Sequence, residues 1–394
     1  MKNYVIVGNG VAGTAAAENI RKEDREGRIT LITDEDLPFY YRLRLSEYVA
    51  GELTEAELMG KKDAWYKDQR IDLKLNTRVT GGDAREKVVQ LEGGKTLSYD
   101  ALLIATGSHS FIPPIKGAEK GGVFALRSVQ DARDITAYAG KISDVVLIGG
   151  GLLGLEAGHA LVKKGKRVMV VEFFPRLLPR QLDMDGAGRL QAILEGMDFS
   201  FRLGAKTEEI AGDHRVDGVR LEGGETLSAE MVIISAGVRP NMELGEALGL
   251  DRDKGIQVNE RMETSRPGIY AAGDVAEFGG IPYGIWPAAL QQGKIAGVNM
   301  AGGGLIYEGT TMANTLKVVG VDLASAGNID AESELDSMVA TDEGVYKKIV
   351  MDHGRIVGCI MLGDTQGFQM FTRAIAERQD ISQIKDQTLL KGFH

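Results

Sequence analysis

Two stretches of this chain carry the same local pattern, and together they leave few folds open. In the first, Tyr4-Val5-Ile6-Val7 runs directly into Gly8-Asn9-Gly10-Val11-Ala12-Gly13, followed by the small-residue run Thr14-Ala15-Ala16-Ala17. A second β-branched run, Arg28 to Thr33, then ends on Asp34. In the second, Val145-Val146-Leu147-Ile148 meets Gly149-Gly150-Gly151-Leu152-Leu153-Gly154, a helical pattern covers roughly 153–164, and a strand from Arg167 to Val171 ends on Glu172. Strand, Gly-x-Gly-x-x-Gly turn, helix, strand and terminal acid is the order of a βαβ dinucleotide-binding unit.

Each residue type has a physical task there. Gly8 and Gly149 let the chain turn sharply off a strand, Gly10 and Gly151 let backbone approach a pyrophosphate, and Gly13 and Gly154 let helix pack on strand. Free N–H groups and the positive helix end attract phosphates. Asp34 and Glu172 stand where a carboxylate accepts hydrogen bonds from ribose hydroxyls. At Glu172 a carboxylate also repels a 2′-phosphate, which favours NADH over NADPH.

The duplication extends further. Leu91-Glu92-Gly93-Gly94-Lys95-Thr96-Leu97-Ser98 is echoed by Leu221-Glu222-Gly223-Gly224-Glu225-Thr226-Leu227-Ser228, and both copies lead into an apolar strand closing on a glycine, Gly107 or Gly237. Two copies of one nucleotide-binding module account for this economically. Within the first copy, residues 71–99 read as short strands with turns at Gly81-Gly82 and Gly93-Gly94. Tyr99 to Ile104 reads as a buried strand delivering Ala105-Thr106-Gly107, and Ile269 to Ala272 as a short strand delivering Gly273 and Asp274. A helix follows at about 287–300, opened by Trp286-Pro287. From about 308 the chain alternates short strands and turns and ends in a helix near 366–378, a separate small α+β domain.

A net charge of −10 over 394 residues argues against nucleic-acid binding and against adhesion to anionic membranes. Cys359 is the single cysteine, which excludes an intramolecular disulfide and fits a reducing compartment. Its apolar surroundings in sequence make it an inert core residue. The start of the chain lacks the pattern of a signal peptide, and the apolar run at 145–162 is interrupted by glycines, Glu156 and His159, so no membrane insertion is expected. A cytoplasmic protein is the expectation. His109, His159, His214, His353 and His394 show no ligand spacing, so no metal site is expected.

Taken in order, these motifs resemble the pyridine nucleotide–disulfide reductase-like flavoproteins, in the branch of rubredoxin and ferredoxin reductases and NADH-dependent nitrite reductases. The resemblance rests on Gly8 to Gly13, Thr96 to Gly107, Gly149 to Gly154 with Leu155-Glu156, and Thr264 to Asp274. It implies an α/β fold with two Rossmann-like domains and a small C-terminal domain. An FAD domain (1–110 and 241–307) would be split by an inserted NAD domain (111–240), with 308–394 following. FAD would be held by Gly8, Gly10, Gly13, Asp34, Glu35, Arg42, Ala105, Thr106, Gly107, Gly273, Asp274 and Trp286. NADH would be held by Gly149, Gly151, Leu152, Leu153, Gly154, Glu156, Glu172 and Gly237. Glu156, near the nicotinamide, and Arg42, near the flavin, are the residues expected closest to the chemistry.

Two departures sharpen this. The redox cysteine that disulfide reductases carry in the segment corresponding to about 40–50 is absent, and Leu45-Ser46-Glu47 stands where many ferredoxin reductases have Leu-Ser-Lys. The first sets the chain apart from cysteine-dependent reductases, and the second leans toward the rubredoxin and nitrite reductase side, as does Asn314 to Asp322. The expected activity is NADH oxidation through FAD, with electrons leaving to a rubredoxin-like iron–sulfur protein. The alternatives are an NADH oxidase, the electron-input module of a nitrite reductase-like complex, and a regulatory protein that holds FAD without turnover.

Overall fold

A computed structural model describes residues 1–380, with the side chains of 314–318 outside the description. The chain forms two compact units. The first comprises Met1–Tyr41, Thr54–His109 and Val238–Thr310; the second comprises Arg42–Leu53, Ser110–Gly237 and Thr311–His394.

The first unit is built on a five-stranded sheet in the order Ile269–Ala271, Ala101–Ile104, Asn3–Val7, Arg28–Ile32, Ile71–Lys74. Every pairing is parallel. Its strands are near-continuous apolar runs because both faces are covered, which is the pattern parallel sheets require. Helices Val11–Glu23 and Trp286–Met300 lie together on one face. Their separation is set by small residues: a Cβ on Gly293 or Gly297 would collide with the backbone of Ala12 or Ala16. The other face packs against a three-stranded antiparallel sheet (Val79–Asp83, Val88–Leu91, Thr96–Ser98) and helix Glu243–Ala247.

The Gly81-Gly82 turn expected from sequence is not there. Both glycines lie inside strand Val79–Asp83, paired with Gln90 and Val89 beside a register shift, and the chain reverses at 84–87 instead. A Cβ on Gly82 would press on Val88 O and Leu248, so these glycines serve close packing rather than reversal. Gly93-Gly94 does form the expected turn, with φ of +82° at each residue.

The second unit repeats this plan. Its five-stranded parallel sheet runs Phe199–Leu203, Arg167–Glu172, Asp144–Ile148, Met231–Ile234, Val123–Phe124, with an antiparallel sheet of Thr207–Ala211, Gly218–Leu221 and Thr226–Ser228. The two echoed hairpins are the same object: Leu91 N donates to Lys95 O at 2.7 Å, and Leu221 N to Glu225 O at 2.8 Å.

The C-terminal region is a five-stranded antiparallel sheet in the order Ala313–Val318, Val321–Gly327, Arg355–Leu362, Val345–Asp352, Asp336–Asp342. Helix Phe368–Ala376 covers it through Phe368, Phe371 and Ala374. The sequence reading gives it a small domain of its own, and by its contacts it groups with the second unit. Buried charge is part of the reason. Tyr346 Oη donates to Asp183 Oδ2 at 2.6 Å, and Lys348 Nζ lies 3.1 Å from the same carboxylate oxygen while donating to Asp330 O at 2.9 Å. Arg42–Leu53, placed by sequence in the first domain, also belongs to the second unit, because helix Leu45–Ala50 packs on Val129–Ala139 and Leu152–Lys163. Among the described residues, no helix is long and apolar enough to cross a membrane.

Candidate functional site

The first glycine turn sits at the carboxyl end of Asn3–Val7. Gly8 N donates to Ile32 O at 2.8 Å, and its φ of +113° is open to glycine and strained for any other residue. A Cβ on Gly13 would stand 1.9 Å from Gly8 O, which fixes how closely helix Val11–Glu23 sits on the strand. Around a Cβ on Gly10 there is nothing within 4 Å. Gly10 is the N-cap of that helix, no side chain caps it, and its first turn holds no acid. The helix therefore presents unbonded N–H groups and its positive end to open space.

Asn9 lies between the two glycines and is buried. Its Oδ1 accepts from Tyr66 Oη at 3.0 Å, but its Nδ2 is buried with no hydrogen-bond partner. A buried donor left unpaired costs roughly 1–3 kcal/mol, so this one fits a bound acceptor such as a pyrophosphate.

Adjacent strands bring the other expected residues to the same sheet edge. Ala105-Thr106-Gly107 follows Ala101–Ile104, with Ala105 N donating to Val7 O at 2.8 Å, and Gly273-Asp274 follows Ile269–Ala271. Asn241 ties this edge down: Thr106 Oγ1 donates to its carbonyl, and its Nδ2 donates to Thr106 O, both at 2.8 Å. Asp274 accepts from Ser108 Oγ at 2.7 Å, and Gly273 N donates to Gln292 Oε1 at 2.9 Å. Ligands bind at the carboxyl ends of strands in such sheets. Asn9, Tyr66, Ser108, Asn241 and Gln292 escaped the sequence reading; only Gln292, a polar residue amid the small apolar run of its helix, carried a visible signal.

Trp286 opens helix Trp286–Met300 and stacks with Tyr41 at 5.8 Å between ring centroids, with Phe39 at 6.1 Å. Asp34 is exposed and Glu35 half-buried. Strand register corrects one equivalence. Val7 pairs with Ile32 and Ile148 with Val171, so Thr33, not Asp34, stands where Glu172 stands in the second unit. The acids of the first unit lie one and two residues further on.

The second turn reproduces the first. Gly149 N donates to Val171 O at 2.8 Å with φ +112°, a Cβ on Gly154 would be 2.7 Å from Gly149 O, and nothing lies within 4 Å of one on Gly151. Gly151 caps helix Leu152–Lys163 without any side-chain hydrogen bond. Leu152 is half-buried and Leu153 exposed at the open helix end, and Gly237 lies just past the end of Met231–Ile234. Glu172, 6% exposed, is already engaged: Oε2 accepts from Gly150 N at 2.5 Å and Oε1 from Phe174 N at 2.8 Å. Each oxygen keeps a second lone pair for a ribose hydroxyl.

Glu156 is half-buried on helix Leu152–Lys163, and burial, then the nearby Glu47 carboxylate, push its carboxyl up to about 7. Arg42 donates from Nη1 to Arg127 O at 3.0 Å in the second unit. Cys359 is fully buried in strand Arg355–Leu362, where burial pushes its thiol up to about 12. Among the described residues, no three His, Cys, Asp or Glu are grouped to hold a metal.

Comparison with known proteins bears on this arrangement. Residues 2–293 match the pyridine nucleotide-disulphide oxidoreductase family, and 313–379 match the rubredoxin NAD+ reductase C-terminal domain. Nitrite reductase [NAD(P)H] of Bacillus subtilis is 38% identical over 99% of this chain and 49% of its own length. This chain thus spans about half the length of the first curated relatives it matches. An NADH oxidase of Methanocaldococcus jannaschii is 32% identical over 96% of this chain and 90% of its own. The crystal structure of NADH:rubredoxin oxidoreductase from Clostridium acetobutylicum superposes with a TM-score of 0.85 at 29% identity, covering 99% of each chain. With two glycine turns of matching geometry, and with family matches spanning nearly all of its described length, the chain belongs to the pyridine nucleotide-disulphide oxidoreductases, a family of FAD- and NADH-dependent enzymes.

Proposed function

We propose that this chain oxidises NADH through FAD and hands the electrons to a small iron–sulfur protein such as rubredoxin, with no thiol in the path. The observation that carries this reading is the state of the only cysteine: Cys359 is 0% exposed, in the C-terminal sheet, with its thiol held protonated. A thiol acts as a nucleophile through its thiolate, which burial of this kind suppresses. Bound flavin supplies the exchange between two-electron and one-electron chemistry.

The chain's own residues hold and orient. Gly10 and Asn9 would face the FAD pyrophosphate, Asp34 and Glu35 its adenosine ribose, and Gly273-Asp274 with Ala105 to Gly107 the rest of that cofactor, with Trp286 beside the ring system. Gly151 with Leu152 and Leu153 would face the NADH pyrophosphate, Glu172 its ribose, and Glu156 and Gly237 the nicotinamide end. Arg42 would serve the flavin.

The acceptor panel is the test. Anaerobic NADH should bleach the flavin, and reoxidation by rubredoxin should outpace reoxidation by oxygen. Iodoacetamide should leave turnover of the native protein unchanged; inactivation by it would place a thiol in the path and overturn the reading. A second reading is supported by the Bacillus subtilis nitrite reductase, a relative about twice as long: the chain would then be an electron-input module for a separate reducing domain. Reoxidation by a nitrite-reducing partner, with rubredoxin inert, would select it.

Glu172→Ala should weaken NADH binding by roughly 1–3 kcal/mol, the cost of unpaired buried partners. It should also narrow the gap between NADH and NADPH. Equal use of the two cofactors by the unaltered protein would refute the role given to Glu172.

A further inference from the structure

Helices Leu45–Ala50 and Leu152–Lys163 enclose a cavity of about 400 Å³ closed at one side by Val319 and Gly320. Its charged and titratable lining is Glu47 from one helix, Glu52 just past the end of that helix, and Glu156, His159 and Lys163 from the other. The positive charges here are already committed. Arg44 clamps Glu47, with Nη2 at 2.8 Å from Oε2 and Nε at 3.1 Å from both oxygens. Lys163 pairs with Glu52. His159, one turn beyond Glu156, has a buried Nδ1 without a partner, and burial, then Lys163, hold its ring below its ordinary value, so it brings no counter-charge at neutrality. Behind the helix, Asp144 pairs with Arg167, and Glu172 is bonded to backbone N–H groups. On the far side of Leu45–Ala50, Asp131 caps its own helix. The Val319-Gly320 turn offers no ionisable group. Among the described residues, Glu156 therefore faces the Glu47 carboxylate with no cation of its own.

We infer that Glu47 is a positioning residue that keeps a proton on Glu156 until a cationic nicotinamide arrives, so that formation or binding of NAD+ is coupled to release of that proton. This rests on the reading that the nicotinamide lies beside Glu156. When NADH gives up its hydride, with both electrons, to the FAD of the proposed activity, the ring becomes a cation. Glu156 then loses H+ to solvent and faces that cation as a carboxylate. No electron moves at Glu156; only the proton leaves. A like charge disfavours ionisation and an opposite charge favours it, which makes the pair an electrostatic discriminator between reduced and oxidised cofactor.

The test uses the oxidised, FAD-loaded full chain, titrated with NAD+ and with tetrahydro-NAD, which is uncharged at the nicotinamide ring and cannot donate hydride. NAD+ affinity should rise about tenfold per pH unit below the midpoint and level off above it, because binding favours the deprotonated form. Tetrahydro-NAD affinity should stay flat. Calorimetry in two buffers of different ionisation enthalpy should show close to one proton released per NAD+ bound at about pH 6. Glu156→Gln should abolish the pH dependence. Glu47→Gln should lower the midpoint by about half a unit or more, and Glu47→Asp should restore it. A midpoint unmoved by Glu47→Gln, with Glu156→Gln still abolishing the pH dependence, overturns the inference. If Glu156→Gln alters neither the affinities nor their pH dependence, the placement of the nicotinamide beside Glu156 fails instead.

Discussion

Gly13→Ala should destabilise the first unit by about 3 kcal/mol or more, whereas Gly10→Ala should leave it folded and weaken its hold on FAD. The two changes add the same methyl group three residues apart. At Gly13 that methyl meets Gly8 O at 1.9 Å, a backbone atom held in place by the bond from Gly8 N to Ile32 O. Nothing flexible can move aside, so helix and strand must separate, and overpacking of this kind costs typically 1–3 kcal/mol or more. At Gly10 the methyl meets nothing, and φ of −81° suits any residue. The same methyl would occupy the space a pyrophosphate needs against the helix end, with an expected loss of roughly 1–3 kcal/mol in cofactor affinity as its acceptors lose their N–H donors. Urea denaturation and FAD affinity of the purified variants measure the two effects separately. A Gly10→Ala protein with unchanged FAD affinity would refute the cradle, and a Gly13→Ala protein of unchanged stability would refute the close packing. Gly154→Ala should be milder, because its methyl would stand 2.7 Å from Gly149 O.

Lys348→Ala should cost about 3–5 kcal/mol, the range for removing one partner of a buried ion pair. Lys348 is 2% exposed and Asp183 5%, and Asp183 also accepts from Tyr346 Oη and, through Oδ1, from Gly186 N at 3.0 Å. Without the lysine a buried carboxylate keeps hydrogen bonds but no cation. Amides of Val345–Asp352 and Arg355–Leu362 should then exchange with solvent faster than in the unaltered protein. Replacing Lys348 and Asp183 together by Met and Leu should recover part of the loss, since Asp183 no longer lies buried without its cation, while Asp330, 4.0 Å from Lys348 Nζ, keeps only its backbone N–H donors. Unchanged exchange in Lys348→Ala would show that the C-terminal sheet is held to its neighbours by apolar packing alone.

The features legible in the sequence were those encoded within about thirty residues. Gly8, Gly10 and Gly13 follow a strand and precede a helix, and the steric reason for each is local, so the spacing alone identified the turn and its purpose. The same is true of Gly149 to Gly154 and of the Leu91 and Leu221 hairpins, whose hydrogen bonds coincide. Gly81-Gly82 was misread because a glycine pair has the same composition in a turn and in a closely packed strand; what distinguishes them is Leu248, far along the chain. Asp34 was assigned by counting from the glycines, but register between strands places Thr33 at the equivalent position.

By itself, then, the sequence determined two βαβ units, their duplication, the absence of a redox thiol pair and the family, because each depends on residue type at short, fixed spacing. Tertiary structure decided the rest. It set Asn9 Nδ2 without a partner, engaged both oxygens of Glu172 with backbone, buried Cys359, drew Arg42–Leu53 and the C-terminal sheet into the second unit, and brought Glu47 and Glu156 to the lining of one cavity. Those outcomes depend on what burial removes from water and on which charges it brings together. Several of them join residues a hundred or more positions apart, as Glu47 and Glu156 are, where spacing along the chain carries no information about distance in space.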